Sequence, residues 1–303
     1  MVSHLPSGDI EVTVYRPDLV YPGNTIFADT RNASSPSLVE VDISGNVVWQ
    51  YQIPAELVRD SEPSKGLDLE QLPNGNILFV MPFKGVYEVN RNKQIVWSYL
   101  TDKVSHDADR LTNGNTLMVW GWDENKFDAQ VQEVDADGQL VWSWHAADHL
   151  KGEGRRMGQN GFSHTNGVVR LDNGNTLISI RNFDLLVEVD SSGGIVWSLA
   201  DKIKNPHDPE VLHNGNILVS VSGVGKSKKT MEITPNGRVV WSQLWPEFNV
   251  LRANHVLPNG NIIVTSQTKI VEINRDGDVI WELEMEPTGR DLRPMYKAER
   301  LEK

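Results

Sequence analysis

One spacing between two residue types recurs along the whole chain and constrains its fold more than any other feature. Six glutamates each lie nine residues before a tryptophan: Glu40 and Trp49, Glu88 and Trp97, Glu133 and Trp142, Glu188 and Trp197, Glu232 and Trp241, and Glu272 and Trp281. A fixed period of a few tens of residues indicates a repeat architecture, in which each copy is one supersecondary unit. The 303 residues are therefore expected to contain six copies of one unit.

Two turns divide each unit into four short strands. One turn lies between Glu and Trp, as in Asp-Ala-Asp-Gly at 135–138. The other is Asn-Gly-Asn at 74–76, 113–115, 173–175, 214–216 and 259–261, with the degenerate Pro-Gly-Asn at 22–24. Asn-Gly between alternating apolar residues is a strong hairpin signal. The predicted strands precede Asn-Gly-Asn, follow it, carry the Glu and end in the Trp.

Antiparallel units of this length with four strands are typical of propeller blades. We predict an all-β fold, a six-bladed β-propeller forming a single domain over residues 1–303. The predicted blades span 20–50, 66–98, 105–143, 163–198, 206–242 and 251–282. Residues 296–301 resemble the first strand of the third blade at 106–111, but no Asn-Gly-Asn follows them. The segment 295–301 is therefore expected to supply the innermost strand of blade one and to close the ring.

The connections on one face of this ring vary in length and character. They lie at 50–66, 121–129, 143–163, 222–229 and 242–251, opposite the uniform Asn-Gly-Asn turns. Binding sites concentrate on variable loops held by a rigid scaffold. We expect this face to be the functional one, with 143–163 and 222–229 setting ligand specificity.

Five of the six innermost strands are predicted to begin with a polar residue on that face. Counting seven residues back from the first Asn of each turn gives Leu67, His106, Asn166, His207 and Arg252, and Tyr296 holds the matching place in the closing strand. His164 lies two residues before Asn166, on the same side of an extended strand, and Arg181 follows the second strand of blade four. His255 is interpreted as a further histidine at a strand start. Converging titratable groups in a cleft indicate a functional site, whereas the repeated Glu and Trp are assigned to blade architecture.

Composition excludes several classes of function. The net charge of −12 disfavours nucleic acid or an anionic membrane surface as the main partner. No apolar run is long enough for a membrane helix, so the chain is expected to be soluble, and cytoplasmic unless a signal peptide was removed. Zero cysteines exclude disulfides, thiolate metal sites and a cysteine nucleophile.

Several motifs resemble the arylsulfotransferase family of bacteria and archaea. They are Ser-His-Thr-Asn-Gly-Val at 163–168, Leu-Ile-Ser-Ile-Arg-Asn at 177–182, Val-Glu-Val-Asp at 187–190, Gly-Gly-Ile-Val-Trp at 193–197 and Pro-His-Asp at 206–208. The resemblance implies a six-bladed propeller that moves a sulfuryl group from an aryl sulfate ester to a phenol without the nucleotide donor of other sulfotransferases. We expect no cofactor, and we expect a monomer or homodimer.

The resemblance also implies roles for individual residues. His207 matches the nucleophile that becomes transiently sulfated. His106, His164 and Arg181 match residues that bind the sulfuryl oxygens and assist the leaving phenolate, and Asn166 matches an asparagine beside them. From their positions alone, Arg252, His255 and Tyr296 are expected to contact substrate. The Asn205-Pro206 pair departs from the family, since many relatives have a glutamine before the nucleophile.

Three other interpretations of the same residues remain open. Several neutral histidines facing one channel could hold Zn²⁺ or another divalent ion, although Arg181 and Arg252 at the same mouth would repel it. A non-catalytic propeller that binds a ligand or a protein would have the same scaffold. A quinone-dependent dehydrogenase is a weaker interpretation, because it would require a larger ring and a bound metal.

Overall fold

The chain folds into six four-stranded antiparallel sheets arranged as a β-propeller, which confirms the predicted fold class. The computed structural model describes residues 10–59, 61–151, 160–200, 202–222, 228–248, 250–286 and 295–301. Within these residues no helix has both the length and the apolar character needed to cross a membrane. The α-helices are α1 Ala55–Val58 and α2 Ala146–His149, and 3₁₀ turns cover Pro63–Lys65 and Arg181–Phe183.

The strands of the first three blades and of the N-terminal segment are β1 Ile10–Tyr15, β2 Thr25–Asp29, β3 Ser37–Val41, β4 Val47–Gln52, β5 Leu69–Gln71, β6 Ile77–Met81, β7 Gly85–Val89, β8 Ile95–Leu100, β9 Ala108–Arg110, β10 Thr116–Val119, β11 Val131–Val134 and β12 Leu140–Trp144. The remaining strands are β13 Thr165–Arg170, β14 Thr176–Ile180, β15 Leu185–Val189, β16 Ile195–Leu199, β17 Pro206–Val211, β18 Ile217–Ser222, β19 Lys228–Ile233, β20 Val239–Leu244, β21 Leu251–Val256, β22 Ile262–Ser266, β23 Lys269–Ile273, β24 Val279–Met285 and β25 Ala298–Arg300.

Both chain ends contribute to ring closure. β25 pairs with β2, so the C-terminal strand is the innermost strand of blade one, as predicted. β1 was not predicted, and it adds a fifth strand to the outer edge of blade six by pairing with β24. Blades six and one are adjacent, so β1 and β25 stabilise the same part of the ring.

The fourth strand of each blade extends beyond its tryptophan, which makes the predicted strand end wrong. In every blade the Trp is the third residue of that strand and is the direct cross-strand partner of the Glu. A β-bulge follows each Glu at the same place. Pairing continues past the Trp because the residue two positions further on, such as Tyr51, Tyr99 or Trp144, also packs against the neighbouring blade.

The repeated residues form one junction that is copied around the ring. Each Trp indole N–H donates to a backbone carbonyl in the outer turn of the next blade: Trp49 to Arg91, Trp97 to Ala136, Trp142 to Ser191, Trp197 to Pro235, Trp241 to Arg275 and Trp281 to Ile43. Each Glu accepts a bond of 2.6–2.7 Å from the last Asn of the Asn-Gly-Asn or Pro-Gly-Asn turn in its own blade. The predicted architectural role of both residue types is confirmed.

The apolar core lies between blades. The described residues form six buried clusters, one for each pair of neighbouring blades. Successive side chains of a strand point to opposite faces, so Ile77 and Phe79 of β6 pack towards blade one while Leu78 and Val80 pack towards blade three. Both faces of each blade are therefore apolar, and the polar residues gather in the central channel.

Candidate functional site

The starts of the inner strands bring most of the predicted site residues together at one mouth of the channel. The His106 and His164 rings are 4.8 Å apart between centroids, and Tyr296 meets His106 edge-on at 5.4 Å. The Arg252 guanidinium lies 5.0 Å above the Tyr296 ring. Asn166 donates from Nδ2 to the carbonyl of Pro206, next to His207, at 2.9 Å. These contacts span blades three to six and the closing strand.

His106 is held in an unusual backbone conformation by two glycines. Its φ is +82°, a left-handed value that a side chain seldom adopts. A Cβ on Gly66 would lie 2.6 Å from the His106 amide nitrogen, and a Cβ on Gly121 would lie 2.5 Å from its Nδ1. The imidazole fits into the channel because both neighbouring segments lack side chains at these points.

A buried carboxylate positions His164. Glu124 Oε1 accepts bonds from the Ser163 backbone N–H at 2.5 Å, the Ser163 hydroxyl at 2.6 Å and the His164 backbone N–H at 2.8 Å. Burial raises the pKa of Glu124 to about 7, although these donors oppose the shift. Three donors on one oxygen fix the loop that leads into β13, where His164 has a φ of +49°.

His207 carries its ring proton on Nδ1 and a lone pair on Nε2. Its Nδ1 lies 2.8 Å from the backbone carbonyl of Asn205. A carbonyl oxygen can only accept, so in the neutral ring Nδ1 carries the proton and Nε2 carries the lone pair. Asn205 is itself fixed, because its N–H donates to Asp184 and its side-chain amide donates to the Ser222 carbonyl.

Burial and, after it, the positive charge at this mouth keep the histidines neutral. Burial, followed by Arg252 and Arg181, lowers the pKa of His207 to about 3. Burial also takes the pKa of His106 and of His164 well below the usual range, with His164 adding to the shift of His106 and Arg181 to that of His164. Arg181 begins the 3₁₀ turn directly after β14, and its N–H donates to the His164 carbonyl. Neutral imidazoles beside two guanidinium groups can receive a small anion.

A second layer, made of carboxylates, lies directly beneath the histidines. The Lys297 ammonium is 3.4 Å from Asp68, 3.6 Å from Asp107 and 3.9 Å from Asp208. Asp107 also accepts the Val168 N–H of the next blade, and Asp208 accepts the Asn254 N–H. The aspartates that follow His106 and His207 in sequence thus bind neighbouring strands and the closing strand.

His255 does not lie with the other predicted residues, and its interpretation as a strand-start histidine is wrong. It is the next-to-last residue of β21, whereas Arg252 holds the position equivalent to His106 and His207. Its side chain is 48% exposed and its Nδ1 is 3.5 Å from Glu210. Burial lowers its pKa, but the bond and charge of Glu210 outweigh this and raise the pKa overall. His255 lines the far part of the channel, with Glu210, Glu299 and Glu70.

The sequence did not predict several residues that shape the site. Trp122 stacks on His106 at 5.9 Å and tilts against His164 at 5.1 Å. The Lys65 ammonium lies 4.9 Å from the Trp122 ring. Trp122 and Glu124 belong to the connection at 121–129, whose length variation marked it as functional without indicating which side chains matter.

Two further expectations from the sequence concern the specificity loops and a metal site. The specificity loops at 143–163 and 222–229 lie partly outside the described residues, at 152–159 and 223–227. Among the residues that are described, no group of three or more His, Asp or Glu side chains is arranged to hold a metal ion.

Two sequence families match the chain. A family model described as arylsulfotransferase (ASST) matches residues 12–208, more than half of the 303 residues. A second family model, described as outer membrane protein assembly factor BamB, matches residues 127–295. No curated protein matches the sequence.

Solved structures with the same fold are distant in sequence. A crystal structure of a protein of unknown function from Bacteroides caccae is 15% identical, with coverage of 92% of this chain and 98% of that one and a TM-score of 0.67. A streptogramin B lyase structure is 15% identical, with coverage of 92% and 84% and a TM-score of 0.59. The virginiamycin B lyase of Staphylococcus aureus is 13% identical, with coverage of 90% and 87% and a TM-score of 0.55. At these identities the likeness concerns the fold alone.

Proposed function

The chain belongs to the arylsulfotransferase family, and from this premise we propose that it moves a sulfuryl group from an aryl sulfate ester to a phenolic acceptor with His207 as the nucleophile. The observation that carries the proposal is the state of His207. Its Nδ1 proton is held by the Asn205 carbonyl, which leaves the lone pair on Nε2, and burial together with the charges of Arg252 and Arg181 lowers the pKa of the ring. A neutral imidazole is a competent nucleophile near neutral pH.

The first half-reaction transfers the sulfuryl group to the histidine. The Nε2 lone pair of His207 forms a bond to sulfur while the bond between sulfur and the phenolic oxygen breaks, and that electron pair leaves on the phenolate. The sulfated ring retains its Nδ1 proton, whose bond to the Asn205 carbonyl strengthens as the ring becomes positive. Arg181 and Arg252 offset the negative charge of the sulfuryl oxygens, and one such contact typically contributes about 3 kcal/mol to lowering the barrier.

The second half-reaction restores the enzyme. An acceptor phenol attacks sulfur and releases His207, and its proton passes to a base. This base is water, while the Nε2 of His164 accepts a hydrogen bond from the incoming hydroxyl and directs its oxygen at sulfur. Nε2 carries the lone pair for this bond because Nδ1 lies 2.7 Å from the Asn160 carbonyl. The proton lost by the acceptor balances the proton that the first phenolate takes up.

Replacement of the nucleophile tests the proposal. With 4-nitrophenyl sulfate as donor and phenol as acceptor, His207→Asn should lower kcat by at least about 10³-fold, the scale expected for loss of a nucleophile. Asparagine preserves a polar side chain of moderate size, which limits damage to the fold. His213→Asn is the matched control, because His213 is an exposed histidine of the same blade and its loss should leave turnover unchanged.

Trapping the intermediate adds a direct readout. With ³⁵S-labelled 4-nitrophenyl sulfate and no acceptor, wild-type protein should release one equivalent of 4-nitrophenol and retain label on the peptide that contains His207. The His207→Asn variant should retain none. Near-normal turnover of this variant, or label on another residue, would overturn the role of His207.

A non-catalytic binding propeller is the second candidate, and the match of residues 127–295 to the BamB family model favours it. The two candidates differ in the wild-type protein. The binding propeller predicts neither a burst of 4-nitrophenol nor retained label at any concentration of the acceptor. The transferase predicts the burst, and it also predicts that 4-nitrophenol is released faster when the acceptor phenol is added.

A further inference from the structure

We infer that Ser105 is a positioning residue that holds His106 in the tautomer with its proton on Nε2, so that His106 donates a hydrogen bond to the oxygen of the leaving phenol. This inference rests on the proposed function. It assigns opposite polarity to neighbouring imidazoles, since His164 and His207 offer lone pairs from Nε2 while His106 offers an N–H.

The hydrogen bonds around Ser105 support this tautomer. Its Oγ accepts the Trp122 backbone N–H at 3.0 Å and lies 2.8 Å from His106 Nδ1. Ser105 is fully buried, and a buried hydroxyl proton requires an acceptor. Nδ1 of His106 supplies that acceptor only if it is unprotonated. The proton of the neutral ring then resides on Nε2.

Ser105 cannot easily turn to another arrangement. Its backbone N–H donates to the Val119 carbonyl, and its residue forms an isolated bridge with Trp120. The segment 119–122 therefore holds Ser105 twice: Val119 accepts its backbone N–H, and the Trp122 N–H donates to its hydroxyl oxygen. By contrast, the Nδ1 atoms of His164 and His207 face backbone carbonyls, which can only accept.

The proton on Nε2 of His106 is available to a ligand. This nitrogen is buried and has no hydrogen-bond partner among the residues that the structure describes. A buried donor without a partner is costly, and an oxygen of the substrate would satisfy it. Burial and the neighbouring cations keep the ring neutral, so it acts by hydrogen bonding and transfers no proton.

The geometry favours the leaving oxygen over a sulfuryl oxygen as the acceptor. Displacement at sulfur places the attacking and leaving atoms on opposite sides, so the leaving oxygen lies away from His207. His106 stacks on Trp122, whose partly exposed ring offers a surface for the aryl group. An aryl ring beside Trp122 brings its oxygen towards His106.

A spectroscopic experiment tests the tautomer independently of activity. Long-range ¹H–¹⁵N correlation spectra of protein labelled with ¹⁵N-histidine report which ring nitrogen carries the proton, and comparison with His106→Gln assigns the His106 signals. Wild-type His106 should show a protonated Nε2, and Ser105→Ala should shift the population towards protonated Nδ1. A protonated Nδ1 in the wild type would overturn the inference even if the protein is an active transferase.

A kinetic experiment tests the consequence. A hydrogen bond to the leaving oxygen matters most when that oxygen carries much charge, so Ser105→Ala should lower kcat/KM for phenyl sulfate about 10-fold or more but for 4-nitrophenyl sulfate about 3-fold or less. Ser105→Thr retains the hydroxyl and should restore the phenyl sulfate rate. Ser179→Ala, which removes another fully buried hydroxyl of the neighbouring blade, should leave the ratio between the two donors unchanged.

The outcomes separate the two claims. An equal loss for both donors in Ser105→Ala would overturn the inference while leaving the transferase intact. Absence of turnover in the wild type would overturn the proposed function, and the tautomer measurement would still decide whether Ser105 sets the ring proton.

Discussion

The blade junctions of this propeller are made of the same residues in every blade, whereas the central channel is lined by residues that differ from blade to blade. At the junctions, Trp, Glu and Asn recur six times with the same hydrogen bonds and the same bulge. In the channel, the six inner strands start with five different pairs of residues; His-Asp occurs in blades three and five, and no two neighbouring blades offer the same pair. The repeated junction residues therefore hold the ring together, and the residues that differ between blades determine the chemistry of the channel.

The channel adds a further contrast, between its two layers. The upper layer joins three neutral histidines to Arg181 and Arg252, and the lower layer joins three aspartates to Lys297. Each layer is dominated by one sign of charge. The difference suggests that the lower layer secures the inner strands while the upper layer remains open to an anion.

Removal of the lysine at the centre of the lower layer should have the largest effect. Lys297→Met leaves Asp68 and Asp107 buried without their cation, and loss of one partner from a buried ion pair costs about 3–5 kcal/mol. Chemical denaturation of wild type and variant measures the change in the free energy of unfolding. The loss should exceed that for removal of a half-exposed junction arginine such as Arg91, because Lys297 links the closing strand to three blades.

Lys103→Met is the control for Lys297→Met. Lys103 pairs with Asp128 at 3.3 Å, with side chains 34% and 22% exposed. Such a pair contributes no more than about 1 kcal/mol. Equal losses for the two lysine variants would show that the lower layer does not depend on its cation.

The two layers should respond to acid with opposite signs, and the adjacent residues His207 and Asp208 report on them separately. The folded pKa of His207 is about 3, below the unfolded value, so only the unfolded chain takes up a proton between pH 6.5 and 3. Wild type should lose about 2 kcal/mol relative to His207→Asn between pH 7 and 5.

For Asp208 the sign is reversed. Burial raises its folded pKa to about 6, although Lys297 opposes the shift. Between pH 6 and 4 the folded chain takes up the proton and the unfolded chain does not. Wild type should therefore gain about 1 kcal/mol relative to Asp208→Asn between pH 7 and 5. Urea titrations of the three proteins at both pH values give the two differences, and slopes of the same sign would contradict the assignment of charge to layers.

The sequence predicted the parts of the molecule that repeat. The spacing between Glu and Trp and the Asn-Gly-Asn turns were sufficient for six blades, because each copy repeats the same signal. The count of seven residues also aligned the inner strands correctly, including Tyr296 of the closing strand. Lys297 follows Tyr296 as Asp107 follows His106, so its level in the channel was already implied by that alignment.

The parts that do not repeat were harder to predict. His255 lies three residues past Arg252, and only the counted register, not residue type, distinguishes it from the strand-start residues. The positive φ values of His106 and His164 depend on Gly66, Gly121 and Glu124, which come from other segments of the chain. Trp122 lies in a connection without periodicity, so no pattern indicated that it would stack on a histidine. β1 was missed because its pairing partner, β24, is at the other end of the chain.

The junction between blades four and five departs from the repeated pattern, and it can be used to test whether that pattern contributes to stability. At the other five junctions an arginine stacks on the Trp and pairs with the Glu; these are Arg91, Arg110, Arg170, Arg275 and Arg300. Blade five has Val211 at the place of Arg110 and Arg170. No arginine of the described residues stacks on Trp197 or pairs with Glu188, and Glu188 is half-buried where the other five glutamates are buried.

Installing the missing cation should stabilise the protein slightly. Val211 is 38% exposed, so a longer side chain can extend along the surface towards Glu188 and Trp197. We expect Val211→Arg to raise the free energy of unfolding by about 0.5–1 kcal/mol, the range for a partly exposed ion pair and cation–π contact. Val211→Met controls for the added apolar stem, and the gain should vanish when Val211→Arg is combined with Glu188→Gln. A gain that survives this second substitution would mean that the arginine acts elsewhere, and the junctions would then tolerate the absence of a cation without cost.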